Sequence, residues 1–209
     1  MNDKTPVRRK IAILATDGFE QDELLGPRQL LEQAGLEVEV LAPAKTANPG
    51  EIKAWKFTDW GETVRVDRKV DDAKVQDYEA LVLPGGQINP DKLRLEPRAI
   101  DFIRAFGQTG RPIAAICHGP WTLIDAGLAK GKRMTSWPSL KNDLSNAGAQ
   151  WADAEVIVDG PIITSRKPDD IPAFVDALIK QLGIDSKQKK QRSTNRAGRQ
   201  PAADRLFSA

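Results

Sequence analysis

The sequence predicts an α/β fold built on a mostly parallel β-sheet. Three observations lead there. Short apolar runs at 11–15, 36–41, 80–83 and 113–116 are separated by segments long enough to be helices. Three of these runs lack the in–out alternation of a half-exposed strand, which is the pattern of strands covered on both faces. Turn residues then follow, as in Thr16-Asp17-Gly18 and Pro84-Gly85-Gly86. Strands alternating with helices in this way belong to α/β architectures, and no internal repeat is visible.

Each element has its own justification. Residues 11–15 read as a buried first strand. Leu24, Leu25, Leu30, Leu31 and Ala34 mark one face of a helix that Gly35 stops as a C-terminal cap. Pro27 either kinks that helix or marks its first turn. Residues 36–41 alternate and close at Pro43, a second strand. Trp55-Lys56-Phe57 and Thr63-Val64-Arg65-Val66 suggest a small antiparallel ribbon. Residues 80–83 form the next strand, followed by a helix around 96–108 and the strand at 113–116. Gly119-Pro120 opens a helix over 121–126, where an early Pro is tolerated. A short apolar piece near Met134, a polar helix around 139–147 and strand-like runs at 155–158 and 161–164 complete the sheet. Ile171, Phe174, Val175, Leu178 and Ile179 give a final helix, 169–182, its apolar face.

Composition narrows the function. The 209 residues suit one domain with a sizeable core, assigned to 9–185 between a basic extension at 1–8 and a basic, disordered tail at 186–209. The formal charge of +2 averages unlike parts: residues 11–185 hold 20 basic and 27 acidic side chains, whereas 186–209 hold seven basic and one acidic. The basicity therefore gives no reason to expect a nucleic-acid face on the fold itself. Salt-sensitive nucleic-acid binding by the tail is the lesser reading beside plain solvation. No segment has the apolar length of a membrane span or the pattern of a secretory signal, so a cytoplasmic protein is expected. One Cys and one His exclude an internal disulfide and a zinc site of the usual Cys/His kind.

Those two rare residues are adjacent, Cys117-His118, where a strand turns into a helix. Small residues stand two before and two after the cysteine (Ala115, Gly119), the pattern of a nucleophile elbow written with Cys in place of Ser. Free N–H groups and the dipole at the helix start favour a thiolate there. His118, the only histidine, is a candidate base or proton shuttle, and it needs an acidic residue from elsewhere. Gly85-Gly86 lets backbone N–H groups approach a ligand closely, and the N–H of Gly86 with that of His118 makes a candidate oxyanion hole. Glu20 follows the first strand. Ligand crevices of parallel sheets lie at the strands' carboxyl ends, so Glu20, Gly85, Gly86 and Cys117 are expected to converge, although a carboxylate at a helix start has a plain structural explanation too.

Taken together, Thr16-Asp17-Gly18-Phe19-Glu20, Leu83-Pro84-Gly85-Gly86 and Ala115-Ile116-Cys117-His118-Gly119-Pro120 resemble the signatures of the PfpI branch of the class I glutamine amidotransferase-like superfamily. Thr135-Ser136-Trp137-Pro138, Asn146-Ala147-Gly148, Val158-Asp159-Gly160 and Thr164-Ser165-Arg166 extend the likeness over residues 9 to 183. The resemblance implies a flavodoxin-like α/β sandwich with helices on both faces of the sheet. It implies Cys117 as the reactive thiol, Glu20 as the carboxyl contacting it, and His118 within the site. It further implies a homo-oligomer in which Asp91, where the family's archaeal peptidase has Glu, reaches the site from a neighbouring subunit. Activities implied are handling of methylglyoxal or of glycated proteins without a cofactor, peptide hydrolysis, and non-enzymatic redox protection through reversible oxidation of Cys117. The first of these is favoured, because a small aldehyde needs only a small pocket at the elbow. No cofactor or metal is expected.

Overall fold

The computed structural model describes residues 9–184, so the basic extension and the basic tail lie outside the described residues. β1 (Lys10–Leu14) leads through the two-residue β2 (Phe19–Glu20) into α1 (Gln21–Gln33), and β3 (Glu37–Ala42) follows. β4 (Glu51–Lys56) and β5 (Asp59–Arg65) form a hairpin, after which β6 (Arg68–Lys69) returns to the main sheet. β7 (Ala80–Leu83) precedes α2 (Ile88–Leu93) and α3 (Pro97–Gln108), and β8 (Ile113–Ile116) precedes α4 (Pro120–Asp125). Then come β9 (Arg133–Met134), α5 (Lys141–Asn146), β10 (Gln150–Trp151), β11 (Val156–Asp159), β12 (Ile162–Ser165) and α6 (Ile171–Gln181).

The seven-stranded sheet has the order β11-β12-β8-β7-β1-β3-β6. All its pairings are parallel except that of β11 with β12. Its central strands β1, β7, β8 and β12 are buried on both faces, and the period of two sorts their side chains into two cores. Ile11, Ile13, Val82, Ala114 and Ile116 join α1 and α6 on one side. Ala12, Leu14, Leu81, Leu83, Ile113 and Ala115 join α3 and α4 on the other. This is the flavodoxin-like sandwich that the resemblance implied.

Phe174 of α6 is fully buried in the first core. Phe174→Ala is therefore expected to lower stability by about 3–5 kcal/mol. A urea titration should show an earlier midpoint at an unchanged slope.

Three local details matter for the site. Gly35 takes φ 86°, and the N–H groups of Gly35 and Leu36 bond back to Glu32 and Leu31, ending α1 in a Schellman motif. Pro27 lies well inside α1, where it has no N–H to give to the carbonyl of Glu23. The hairpin confirms the antiparallel ribbon, with Trp55 opposite Trp60 and Phe57 at the turn in a left-handed conformation. Asp17 ties this hairpin to the end of β1 by accepting from the N–H of Ala47 (2.8 Å) and of Lys53 (2.9 Å).

Strand order reverses about β1, since the chain first goes to β3 on one side and later to β7 on the other. A crevice at the carboxyl ends of the strands is the consequence. Three loops meet there: the one after β1, the Gly85-Gly86 turn after β7, and Cys117 after β8.

Candidate active site

Cys117 is the corner between β8 and α4. It takes φ 61°, and a second non-glycine residue, Phe57, is the other with positive φ among the described residues. The left-handed region is unfavourable for a residue with a Cβ, so surrounding bonds must hold it. The Cys117 N–H donates to Ser165 O (3.0 Å), and the Trp137 N–H donates to Cys117 O (2.9 Å). Gly119 closes the corner by donating to Ile116 O at 2.8 Å. The strained residue is thus anchored on both sides, with its side chain largely buried at the crevice.

The carboxyl facing the thiol is Glu23, in the first turn of α1. It is fully buried, and its Oε2 accepts the Gly85 N–H at 2.9 Å. A Cβ placed on Gly85 would lie 2.6 Å from that oxygen and 2.7 Å from Cys117 Cβ, so carboxyl and thiol meet across the bare face of this glycine. Burial pushes the Glu23 carboxyl up to about 8, and the neighbouring Glu20 adds to the rise. Burial and the Glu23 charge raise the Cys117 thiol as well, against the N–H groups of Gly86 and His118, which favour its anion. The two groups therefore titrate as a pair. At neutral pH the carboxyl keeps its proton, and the pair's first anion meets two backbone N–H donors.

This corrects the expectation for Glu20. That residue precedes the helix, in β2 beside Trp55, and its carboxyl is approached by the backbone N–H groups of Gln21 and Phe57. Three residues further on, the helix has turned its side chain toward the sheet, and Glu23 occupies the place expected of Glu20. Glu20 contributes as a nearby charge. The reading of Gly85 changes too: its N–H is spent on Glu23, and its carbonyl accepts from Glu20 N (3.3 Å). Gly86, at φ 76°, fits the donor role. A Cβ there would meet Glu20 N and Gly18 O at 2.6 Å, so only glycine allows the turn to approach so closely.

His118 Nδ1 stands 3.2 Å from Cys117 Sγ and Nε2 3.3 Å from Ser139 Oγ. Its ring lies 5.2 Å from that of Trp121, edge-on, and 6.2 Å from that of Trp137, stacked. Among the described residues no carboxylate is bonded to either ring nitrogen; Asp91 sits exposed on α2. Burial lowers the His118 pKa from 6.5 to about 4. The imidazole should stay neutral from pH 5 to 8, with an NMR titration of its ring protons turning near pH 4. Because the unfolded chain binds this proton below about 6.5 and the folded one resists it down to about 4, this group's contribution to stability falls as pH drops through that window.

The sequence pattern did not single out Glu23 or Ser139, and it held Trp137 within a motif without a role. For Glu23 a signal existed. It precedes Pro27 by four residues and adjoins Leu24, which places a carboxylate on the buried face of α1. Ser139 and Trp137 come from a loop whose approach to β8 no local pattern reports. Among the described residues, no group of three or more His, Cys, Asp or Glu side chains is arranged to hold a metal ion, and no helix is long and apolar enough to cross a membrane.

A doubly wound sheet with a left-handed cysteine at a strand–helix corner, facing a buried carboxyl, defines an α/β protein with the geometry of a nucleophile elbow at a cysteine. The chain belongs to the DJ-1/PfpI family, whose model matches residues 9–181. It is 38% identical over 173 residues to Deglycase PfpI of Pyrococcus furiosus, covering 83% of this chain and 99% of the relative. It is 43% identical over 166 residues to the protein named "Putative cysteine protease YraA" of Bacillus subtilis, covering 79% and 94%. Among solved structures, a two-domain protein from Anabaena variabilis containing DJ-1/ThiJ/PfpI-like and ferritin-like domains matches with TM-score 0.78 and 34% identity, over 86% of this chain and 50% of that one. Drosophila melanogaster DJ-1beta matches with TM-score 0.75 and 26% identity, over 91% and 98%.

Proposed function

We propose that the protein is a cysteine-dependent enzyme acting on reactive carbonyl compounds or on their adducts with proteins. The observation that carries this reading is the meeting of Cys117, Glu23 and the N–H groups of Gly86 and His118 at one corner. The names of relatives support it: besides the Pyrococcus furiosus protein, those from Pyrococcus abyssi and Thermococcus kodakarensis, each 39% identical over 173 residues, are named deglycases.

In this reading the Cys117 thiol first loses its proton to solvent water; the thiolate then adds to an aldehyde carbon and the carbonyl π electrons move onto oxygen. The resulting alkoxide is stabilised by the N–H groups of Gly86 and His118. Glu23, protonated at neutral pH, gives its proton to that oxygen and as a carboxylate can take one back from the adjacent carbon. For a 2-oxoaldehyde this moves hydrogen from the aldehyde carbon to the ketone carbon. The product is a 2-hydroxy thioester, and water cleaves it to the hydroxy acid, restoring the thiol.

The test uses the full chain and its Cys117→Ala variant. Methylglyoxal conversion to lactate, and recovery of free amine from methylglyoxal-treated Nα-acetyl-lysine, are compared with hydrolysis of a casein-derived peptide. A drop of about 10³-fold or more in the carbonyl assays is expected in the variant. Equal carbonyl turnover by both proteins, or peptide hydrolysis exceeding carbonyl turnover, would sink the reading.

One observation favours a peptidase as the second reading, namely the cysteine-protease name of the Bacillus subtilis relative. It requires an acid for His118. Asp91 from a neighbouring copy in a cytoplasmic homo-oligomer is the candidate, and its exposure on α2 is compatible with that part. Asp91→Ala would then abolish peptide hydrolysis while leaving methylglyoxal turnover within a few-fold.

A further inference from the structure

Asn89 lies in the first turn of α2 and is fully buried. Its amide makes three hydrogen bonds. Oδ1 accepts from Thr16 N at 2.8 Å, at the end of β1. Nδ2 donates to Pro84 O at 2.9 Å and to Gly85 O at 3.3 Å, in the turn after β7. The side chain therefore ties together the two strand ends that flank the crevice, and it uses both the donor and the acceptor of the amide to do so.

The bond to Gly85 O has a geometrical consequence. The Gly85–Gly86 peptide is planar, with its carbonyl and the following N–H on opposite edges. Asn89 Nδ2 and Glu20 N hold the carbonyl from one edge. The opposite edge, the Gly86 N–H, is thereby turned toward the Cys117 sulfur and the adjoining Glu23 carboxyl. Gly86 has no side chain and takes φ 76°, so nothing of its own would keep this peptide from rotating.

We propose that Asn89 is a positioning residue that aims the Gly86 N–H at the sulfur of Cys117 and at the oxyanion formed on its adducts. The thiol part of this inference is independent of the substrate; the oxyanion part rests on the carbonyl chemistry proposed above. An aspartate could accept from Thr16 and could not donate to the turn, and a leucine could do neither. An amide of this length meets both demands.

The decisive measurement is the pH dependence of Cys117 alkylation by iodoacetamide, in wild type, Asn89→Leu and Asn89→Ser. Ile103→Ala serves as a destabilised control, since Ile103 is buried in the other core, on α3. Both Asn89 variants should move the profile upward by about one pH unit, equivalent to a tenfold slower reaction at pH 7, and Ile103→Ala should leave it in place. In the methylglyoxal assay kcat should fall by about 10²-fold with KM changed less than threefold, as for loss of one oxyanion donor. If Asn89→Leu does not fold, Asn89→Ser, the smaller change, decides by the same shift. A profile unchanged from wild type in a folded Asn89 variant overturns the proposal. Should neither variant fold, 15N-glycine NMR of the wild type decides: the Gly86 amide must shift on alkylation of Cys117, and an unmoved signal overturns the proposal. A shifted alkylation profile without methylglyoxal turnover in wild type would leave Asn89 in its role and remove the carbonyl function instead.

Discussion

Glu23→Gln is expected to make the protein more stable at neutral and alkaline pH while lowering its turnover. The carboxyl is fully buried with its pKa pushed up to about 8 from 4.5. Between those values the folded chain holds a proton that the unfolded chain has lost, so stability is full below about 4.5 and declines as pH rises toward 8. The whole window amounts to an order of 4 kcal/mol. His118 opposes this slope only below about 6.5, so a series of thermal unfolding curves from pH 6.5 to 8 isolates Glu23. Wild type should lose about 2 kcal/mol over that interval, or roughly 4–8 °C in Tm, and Glu23→Gln should be flat. The amide keeps an oxygen for the Gly85 N–H, so the fold around it is retained.

Turnover should move the other way. The glutamine can neither give a proton to the oxyanion nor take one from carbon, and a fall of about 10²–10⁴-fold is expected in the methylglyoxal assay. Gain of stability with loss of activity is the mark of a group kept for chemistry at the expense of the fold. A variant that loses both would show that Glu23 is a structural residue. Glu20→Gln, which changes a neighbouring charge and leaves the thiol's own carboxyl in place, should alter turnover far less.

Gly119→Ala is expected to destabilise the protein by about 3 kcal/mol or more. The added Cβ would stand 2.4 Å from Leu83 O, 2.9 Å from Ile116 O and 3.2 Å from Pro84 O. All three are backbone atoms at the ends of β7 and β8, which are paired in the middle of the sheet and cannot swing aside as a flexible side chain could. The φ of Gly119 is −48°, so the penalty arises from contact alone. At this size of protein the Tm should fall by about 6–12 °C. Gly110→Ala is the matching control: its Cβ meets nothing within 4 Å, and its φ of +70° costs about 1–2 kcal/mol by itself. If Gly119→Ala were no worse than Gly110→Ala, the elbow would be looser than its contacts indicate. Where Gly119→Ala folds, alkylation of Cys117 should also slow, because the clash separates the corner from the Gly85-Gly86 turn.

Much of the fold was legible in the sequence because its central strands are buried on both faces and bounded by turn residues. Residues 11–15, 80–83 and 113–116 could satisfy their apolar side chains only inside a covered sheet, and Gly35 could only end a helix. The short elements were less visible. β2, β6, β9 and β10 are two residues each, and α2 is six, too short for a period to register. Their existence depends on partners far away in the chain, such as Trp55 for Glu20 and Lys132 for Gln150.

The site divides along the same line. Cys117, His118 and Gly119 were legible as candidates in the sequence alone, because a strand–corner–helix segment spans five residues and the only Cys and His of the chain occupy it; Gly86 was legible separately, from the Gly pair that follows a buried strand. The choice between Glu20 and Glu23 was decided by tertiary structure. Both are carboxylates near the start of α1, and only the phase at which the helix meets the sheet selects the one that touches sulfur. Asn89 was likewise invisible, since an amide in a short turn acquires meaning only when β1 and β7 bring Thr16 and Gly85 to either side of it. Local sequence fixes where a nucleophile can stand. What surrounds it depends on packing between segments distant in the chain, and that packing sets whether the thiol's neighbour is a proton donor or merely a charge.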